Sequence, residues 1–170
     1  MTVTRVLLSA VLLLTASVLQ VTVVNALPLP GGGPDLVPLV LIGLALVSEP
    51  TAGAVLGFSA GLLVDFMPPG VTEVGRWALV FCLVGYICGQ IRMDSRRSPF
   101  VSVAAVALLS AFAVIAFAGV GLLFGDERIT GQVFLSTLIG TVLYDLLLAP
   151  FVIPVVMALA RKTEPAVSRV

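Results

Sequence analysis

Long apolar runs separated by short polar or Pro/Gly stretches fill the chain. The first run follows Arg5 and extends from Val6 to Val24, interrupted only by Ser, Thr and Gln20. Leu27 to Asp35, LPLPGGGPD, is a loop without Lys or Arg. A second run, Leu36 to Val47, has Pro34 and Pro38 at its start, where a first helical turn tolerates them. Ser48-Glu49-Pro50 makes a turn into a third run, Thr51 to Phe66. The loop MPPGVTEVGR leads to a fourth run, Trp77 to Ile91, with Trp77 at an interface position. The basic loop RMDSRRS precedes the fifth and longest uninterrupted run, Phe100 to Phe124. After GDERIT comes a last run, Val133 to Ala160, broken by Pro150 and Pro154 and ending in Arg161-Lys162. The pattern predicts an all-α integral membrane protein, one transmembrane domain over 1–170, with helices near 5–25, 35–48, 51–66, 76–91, 99–124 and 131–160.

The second and third runs are short for a bilayer core of about 30 Å, which asks for about 20 residues per helix. A re-entrant pair, one broken helix and two extended spans all fit their length. Charge decides between them. With six spans and the N-terminus inside, Arg5, Arg92, Arg96, Arg97, Arg161, Lys162 and Arg169 fall on the cytoplasmic side, and only Arg76 and Arg128 fall outside. A single span or a re-entrant pair over 36–66 would put the Arg92–Arg97 loop outside, against the positive-inside rule. The expectation is six helices in the cell membrane with both ends cytoplasmic, oriented by Arg92, Arg96, Arg97, Arg161 and Lys162.

Composition agrees. The chain is 59% hydrophobic and 11% charged, against roughly 25% charged in a soluble domain. Net charge is zero, so it points to neither an acidic nor a basic ligand. There is no His, which removes the commonest proton shuttle and metal ligand. Cys82 and Cys88 lie in one apolar run and point roughly 120° apart on a helix, so they read as small packing residues rather than a disulfide or metal pair. Val24-Asn25-Ala26 would pass as a signal-peptidase site. The preceding apolar run exceeds the roughly 7–15 residues of a signal core, so it reads as a retained helix.

Gly53, Gly57, Gly61 and Asp65 are each four apart in the third run. On a helix they share one face, a smooth stripe ending in a carboxylate. Glycine gains nothing toward lipid, so the stripe reads as a packing seam, against a helix of this chain or of a partner. Gly85 and Gly89 repeat the spacing in the fourth run, Gly121 and Gly125 in the fifth. Asp65 reads either as an interfacial or capping carboxylate or as an anchor for the following loop or a partner helix. Asp145 lies deeper, in TVLYDLLLAP, beside Tyr144 and five residues before Pro150. Pro150 frees a backbone carbonyl near Leu146. An acid at that depth is expected to be protonated or to bond polar groups across the bundle.

No enzyme signature is present: no P-loop, no H-E-x-x-H, no nucleophile elbow. Gly31-Gly32-Gly33 follows no strand and is a flexible loop. No cofactor is indicated. The basic cluster beside the membrane suits orientation or anionic lipid and does not indicate nucleic acid.

Gly57 and Gly61 before Asp65, then PPG, then VGRWALVFCLVGYICG with Gly75 and Leu79, resemble the rod shape-determining MreD family in an actinobacterial style. The Pro34-Asp35-Leu36 start of the second helix and the Pro-interrupted last helix ending in basic residues are similar too. The resemblance covers nearly the whole chain, and the stretch between Asp65 and Gly75 is a little longer than in many members. It implies a six-helix bundle similar to the substrate-binding subunits of energy-coupling-factor transporters. It also implies a non-catalytic inner-membrane scaffold of the cell-elongation machinery. Such a scaffold binds MreC through transmembrane contacts and helps couple MreB filaments to the elongation transpeptidase and the SEDS glycosyltransferase that build peptidoglycan.

Two other functions compete. A vitamin-binding subunit of an energy-coupling-factor transporter would want a polar pocket under the outer loops, where Asp65, Glu73, Arg76 and Trp77 could line one; the chain is poor in Asn, Gln and Tyr for that purpose. An ion pathway through Asp65 and Asp145 is weakened by the lack of His and Lys inside the membrane.

Overall fold

In the computed structural model, which describes residues 3–27, 33–67, 74–95, 99–125 and 131–163, every regular element is a helix. α1 (Val3–Leu19) continues into a π-helical segment (Gln20–Val24), followed by α2 (Leu36–Ala45), α3 (Pro50–Asp65), α4 (Arg76–Ser95), α5 (Pro99–Leu123) and α6 (Gly131–Lys162). The segment from α1 into the π turn, α5 and α6 are each long and apolar enough to cross a membrane; α2, α3 and α4 contain shorter apolar stretches. These bounds lie close to the predicted ones. α4 differs most: its helix continues past Ile91 through Arg92 to Ser95, so Arg92 belongs to a helix end and not to the basic loop.

α2 is the centre of the bundle. Every residue from Val37 to Ala45 is buried, and Leu39, Leu41, Ile42, Ala45, Leu46 and Val47 have no exposed surface. Its sequence explains why: LVPLVLIGLA has no polar face to turn toward anything. A helix that is apolar all round is a core element. The other helices surround it and turn their own apolar residues outward. Leu7, Val11, Leu14 and Val18 on α1 are exposed, as are Leu108 and Ile115 on α5 and Leu135, Ile139, Leu143 and Leu147 on α6. Such a surface suits lipid and not water.

α3 and α4 form an antiparallel pair whose backbones touch. A Cβ added to Gly53 would run into the Gly85 carbonyl oxygen, and one added to Gly85 into that of Gly53. Gly57 faces the Phe81 carbonyl, Gly61 the Trp77 carbonyl and Ala78 Cα, and Gly89 the Cα of Pro50. No side chain fits at any of these positions without moving backbone. The glycine stripe of α3 is therefore filled by α4 of the same chain. Where α2 crosses α6 the approach is softer: a Cβ on Gly43 would lie 2.9 Å from Cγ1 of Val156.

These contacts separate two kinds of glycine. Gly57→Ala is expected to destabilise the bundle by about 1–3 kcal/mol, the usual range for overpacking. Gly119→Ala, on α5 with nothing within 4 Å of its added Cβ, is expected to be neutral or slightly stabilising. Thermal unfolding of the detergent-solubilised variants checks both; equal losses would show that backbone contact along α3–α4 does not set stability.

Candidate functional site

A ten-residue helix is about 15 Å long, half the thickness of a bilayer core. At least one end of α2 must lie where water cannot serve its free amides and carbonyls. Side chains from three other elements serve them instead, and they form the main polar site of the bundle.

At the N-terminal end, Asp145 of α6 is fully buried. Its Oδ1 accepts the backbone N–H of Asp35 at 2.8 Å, and its Oδ2 accepts the Ser110 hydroxyl of α5 at 2.6 Å. Gln20, at the first position of the π turn, accepts the Leu36 N–H on Oε1 at 2.9 Å. Its Nε2 donates to the Pro34 carbonyl at 3.1 Å and to Oδ1 of Asp35 at 3.4 Å. Asp35 is the N-cap residue, yet its own side chain makes no capping bond; Asp145 and Gln20 supply the acceptors. At the other end, Arg5 of α1 donates from Nη2 to the Val47 carbonyl at 2.6 Å and to the Ser48 hydroxyl at 3.1 Å. Ser48 in turn donates to the Leu44 carbonyl at 2.7 Å. An acid therefore stands at the positive end of α2 and a cation at its negative end, the favourable orientation with respect to the helix dipole.

A second cap closes the α3–α4 pair. Asp65, the last residue of α3, is buried. Its Oδ2 accepts the N–H of Gly75 at 2.8 Å and of Ala78 at 3.2 Å, and Oδ1 accepts that of Trp77 at 3.2 Å. Three free amides at the start of α4 thus end on one carboxylate. Gly75 reaches this position with φ of 101°, a conformation that side chains with a Cβ rarely adopt. The neighbouring Arg76 is buried and donates from Nε and Nη2 to the Phe117 carbonyl of α5, at 3.0 and 2.7 Å. Its guanidinium carbon lies 3.7 Å from the centroid of the Phe117 ring, and Trp77 stacks on the same ring at 4.1 Å. Asp65, Arg76 and Phe117 tie α3, α4 and α5 together at one end of the bundle.

Gly53, Gly57, Gly61 and Asp65 therefore act together, as one seam with its terminal cap. Asp145 binds across to α2 and α5, more than 100 residues away in sequence for its Asp35 contact. Tyr144 is half-buried beside it and is not one of these partners. Arg161 and Lys162 are exposed in the last turn of α6. Arg96, Arg97 and Glu73 lie outside the described residues. Asp65 and Arg76 spend polar groups, and Trp77 a ring face, on the contacts above. Cys82 and Cys88 are free thiols. Among the described residues no group of three His, Cys, Asp or Glu could hold a metal ion. Sequence reasoning passed over Gln20, Ser110 and Arg5 as partners of α2. The signal that could have found them was that Gln20 is the only amide side chain inside the first apolar run, where polar groups need a partner. Compared with known proteins, the chain matches no family model, no characterised protein and no solved structure.

The caps make distinct predictions. Asp145→Ala leaves the Asp35 amide and Ser110 without their acceptor and is expected to cost about 2–3 kcal/mol. Asp145→Asn keeps an acceptor for Asp35 and can donate to Ser110, so its loss should stay below about 1 kcal/mol. Unfolding midpoints measured side by side check the order; a large loss in both would mean that the negative charge itself is required. Asp65→Ala, which orphans three amides, should cost about 2 kcal/mol or more and should selectively raise amide exchange at Gly75–Ala78.

Proposed function

We propose that the chain is a non-catalytic membrane scaffold of the bacterial cell-elongation machinery, of the MreD type. In this reading it crosses the plasma membrane six times with both ends in the cytoplasm. It binds MreC through transmembrane contacts, and so helps couple MreB filaments to the elongation transpeptidase and SEDS glycosyltransferase. The observation that supports it most is the joint role of Gly57, Gly61, Asp65 and Gly75. These residues carry the resemblance, and they form one seam and cap that joins the end of α3 to the start of α4. A bundle whose buried acids, Asp65 and Asp145, are bonded to other helices of the same chain is suited to presenting its outer surfaces to partners.

Because the glycine stripe is occupied by α4, MreC engages an outward face of the bundle in this proposal. The transporter reading gains no specific support: Asp65 and Arg76, two of the groups such a pocket would use, are bonded within the protein, and Glu73 lies outside the described residues.

The test is affinity purification of the tagged protein from its native membrane after mild detergent extraction. The expected result is co-purification with an MreC-like single-span protein and, on depletion, swollen or rounded cells. Absence of any such partner, together with a vitamin-like small molecule in the purified sample by mass spectrometry, would overturn the scaffold reading. Cysteine accessibility tests the topology in the same material. With Cys82 and Cys88 replaced, a cysteine at Thr163 should react only from the cytoplasmic side, and one at Gly125 only from outside.

A further inference from the structure

The start of α2 gathers two acids and only neutral partners. Asp145 is fully buried on α6, and its two oxygens accept the Asp35 N–H at 2.8 Å and the Ser110 hydroxyl at 2.6 Å. The first of these bonds brings the Asp35 carboxyl beside it, where Gln20 Nε2 reaches Oδ1 at 3.4 Å. The side chains that bond to the pair among the described residues, Gln20 and Ser110, carry no charge. The surrounding helices bring none either. No charged residue lies between Arg5 and Asp35, within α2 or within α5, and on α6 the next after Asp145 is Arg161. Tyr144 is the other titratable group in that stretch of α6. α3 and α4 also pack on α2. Their Asp65 and Arg76 are bonded to the Gly75–Ala78 amides and to Phe117. Arg92 and Asp94 follow the part of α4 that meets Pro50, at the Ser48 end of α2. Glu73, Asp126, Glu127 and Arg128 lie outside the described residues. Like charges at short range oppose each other, and a buried carboxylate has no water to spread its charge, so a pair in this setting favours holding one proton. Asp145 has a donor on each oxygen, which suits the ionised form, and the proton belongs on Asp35. Asp35 is half-buried and so open to exchange with water. A second feature marks the same end of the bundle. Ser17, one turn before Gln20 on the same face of α1, is completely buried and its hydroxyl has no hydrogen-bond partner. A buried hydroxyl left unpaired points to a small polar species in its surroundings.

We infer that Asp35 and Asp145 form a proton-binding site at the start of α2, in which Asp145 stays ionised, Asp35 takes up one proton from the adjoining water, and the bound proton secures the grip of α6 on α2. The proton comes from bulk water and ends as the O–H of the Asp35 carboxyl; no other bond changes. When it leaves, two negative charges face each other across the Asp35 N–H bond, and that bond weakens. Burial pushes the Asp35 carboxyl up from 3.8 to about 6. Between those values the folded chain keeps a proton that an opened chain releases, so the grip is strongest in mild acid and is lost as pH rises through this window. The start of α2 is thereby a latch that responds to pH on the side where the α1–α2 loop lies. The inference stands on the chemistry of the pair and is independent of the role proposed above.

The experiment uses the full chain in phosphatidylcholine–phosphatidylglycerol nanodiscs and two readouts. Infrared difference spectra across a pH titration follow the protonated-carboxyl band. Amide exchange, corrected for its intrinsic pH dependence, follows the grip at Asp35 and Leu36. The expected result is a carboxyl that titrates near pH 6, with protection at those two amides about tenfold greater at pH 5 than at pH 7.5. Asp35→Asn, a neutral stand-in for the protonated acid, should remove that band and make the protection independent of pH. Asp145→Asn takes away the facing charge and should move the midpoint to lower pH. Protection that does not change with pH in the unaltered chain overturns the inference, whether or not either variant folds. So does a titrating band that survives Asp35→Asn. A midpoint that shifts when sodium replaces potassium at constant ionic strength also overturns it, since a metal cation would then be the ligand.

Discussion

A short helix buried in a membrane bundle has ends that water cannot reach, and this structure depends on how those ends are met. α2 supplies the apolar centre, but its length, about 15 Å, leaves its terminal peptide groups inside the protein. Asp145 and Gln20 accept the amides at its start, and Arg5 donates to the Val47 carbonyl and Ser48 hydroxyl just past its end. Each of these residues comes from a helix that packs around α2. The caps therefore do more than satisfy hydrogen bonds. They fix how far along α1 and α6 the central helix sits, which apolar contacts alone do not specify because Leu, Val and Ile pack acceptably in many registers.

The α3–α4 pair solves the same problem by different means. Glycines let two backbones touch along their length, and dispersion contacts between close backbones replace the hydrophobic effect that lipid does not provide. Asp65 then fixes the register of that pair by gathering three amides at the start of α4. Arg76 extends the lock to α5 through the Phe117 carbonyl and ring. The two polar groups are related: a buried carboxylate accepts backbone N–H at the start of a helix it does not belong to, one amide and the Ser110 hydroxyl for Asp145, three amides for Asp65. In both, an acid that in sequence is a candidate for proton or ligand chemistry is taken up by bonds within the protein.

Much of this was legible in the residues. The apolar runs placed all six helices within a few residues of their ends, because lengths and breaks are set by local composition and by Pro, Gly and charge. The stripe Gly53, Gly57, Gly61 with Asp65 announced a seam, since spacing of four on a helix is a local property. The partner across that seam was not legible, because Gly85 and Gly89 carried the same pattern as Gly121 and Gly125. The grip of Gln20, Ser110 and Arg5 on α2 was hidden for a related reason. Each is an ordinary residue in its own segment and gains meaning only when α1, α5 and α6 are brought around a helix far away in sequence. The single last helix expected over 131–160 in spite of Pro150 and Pro154 is observed as one continuous helix to Lys162.

Amide hydrogen exchange on the protein in lipid nanodiscs tests the central claim, that α2 is held at both ends by side chains of other helices. Residues 35–48 should form the slowest-exchanging segment of the chain, with the Asp35 and Leu36 amides protected as well as those of the helix interior. Rapid exchange at Asp35 and Leu36, with protection beginning only beyond Leu39, would contradict it, since it would mean that water and not Asp145 and Gln20 serves the start of the helix.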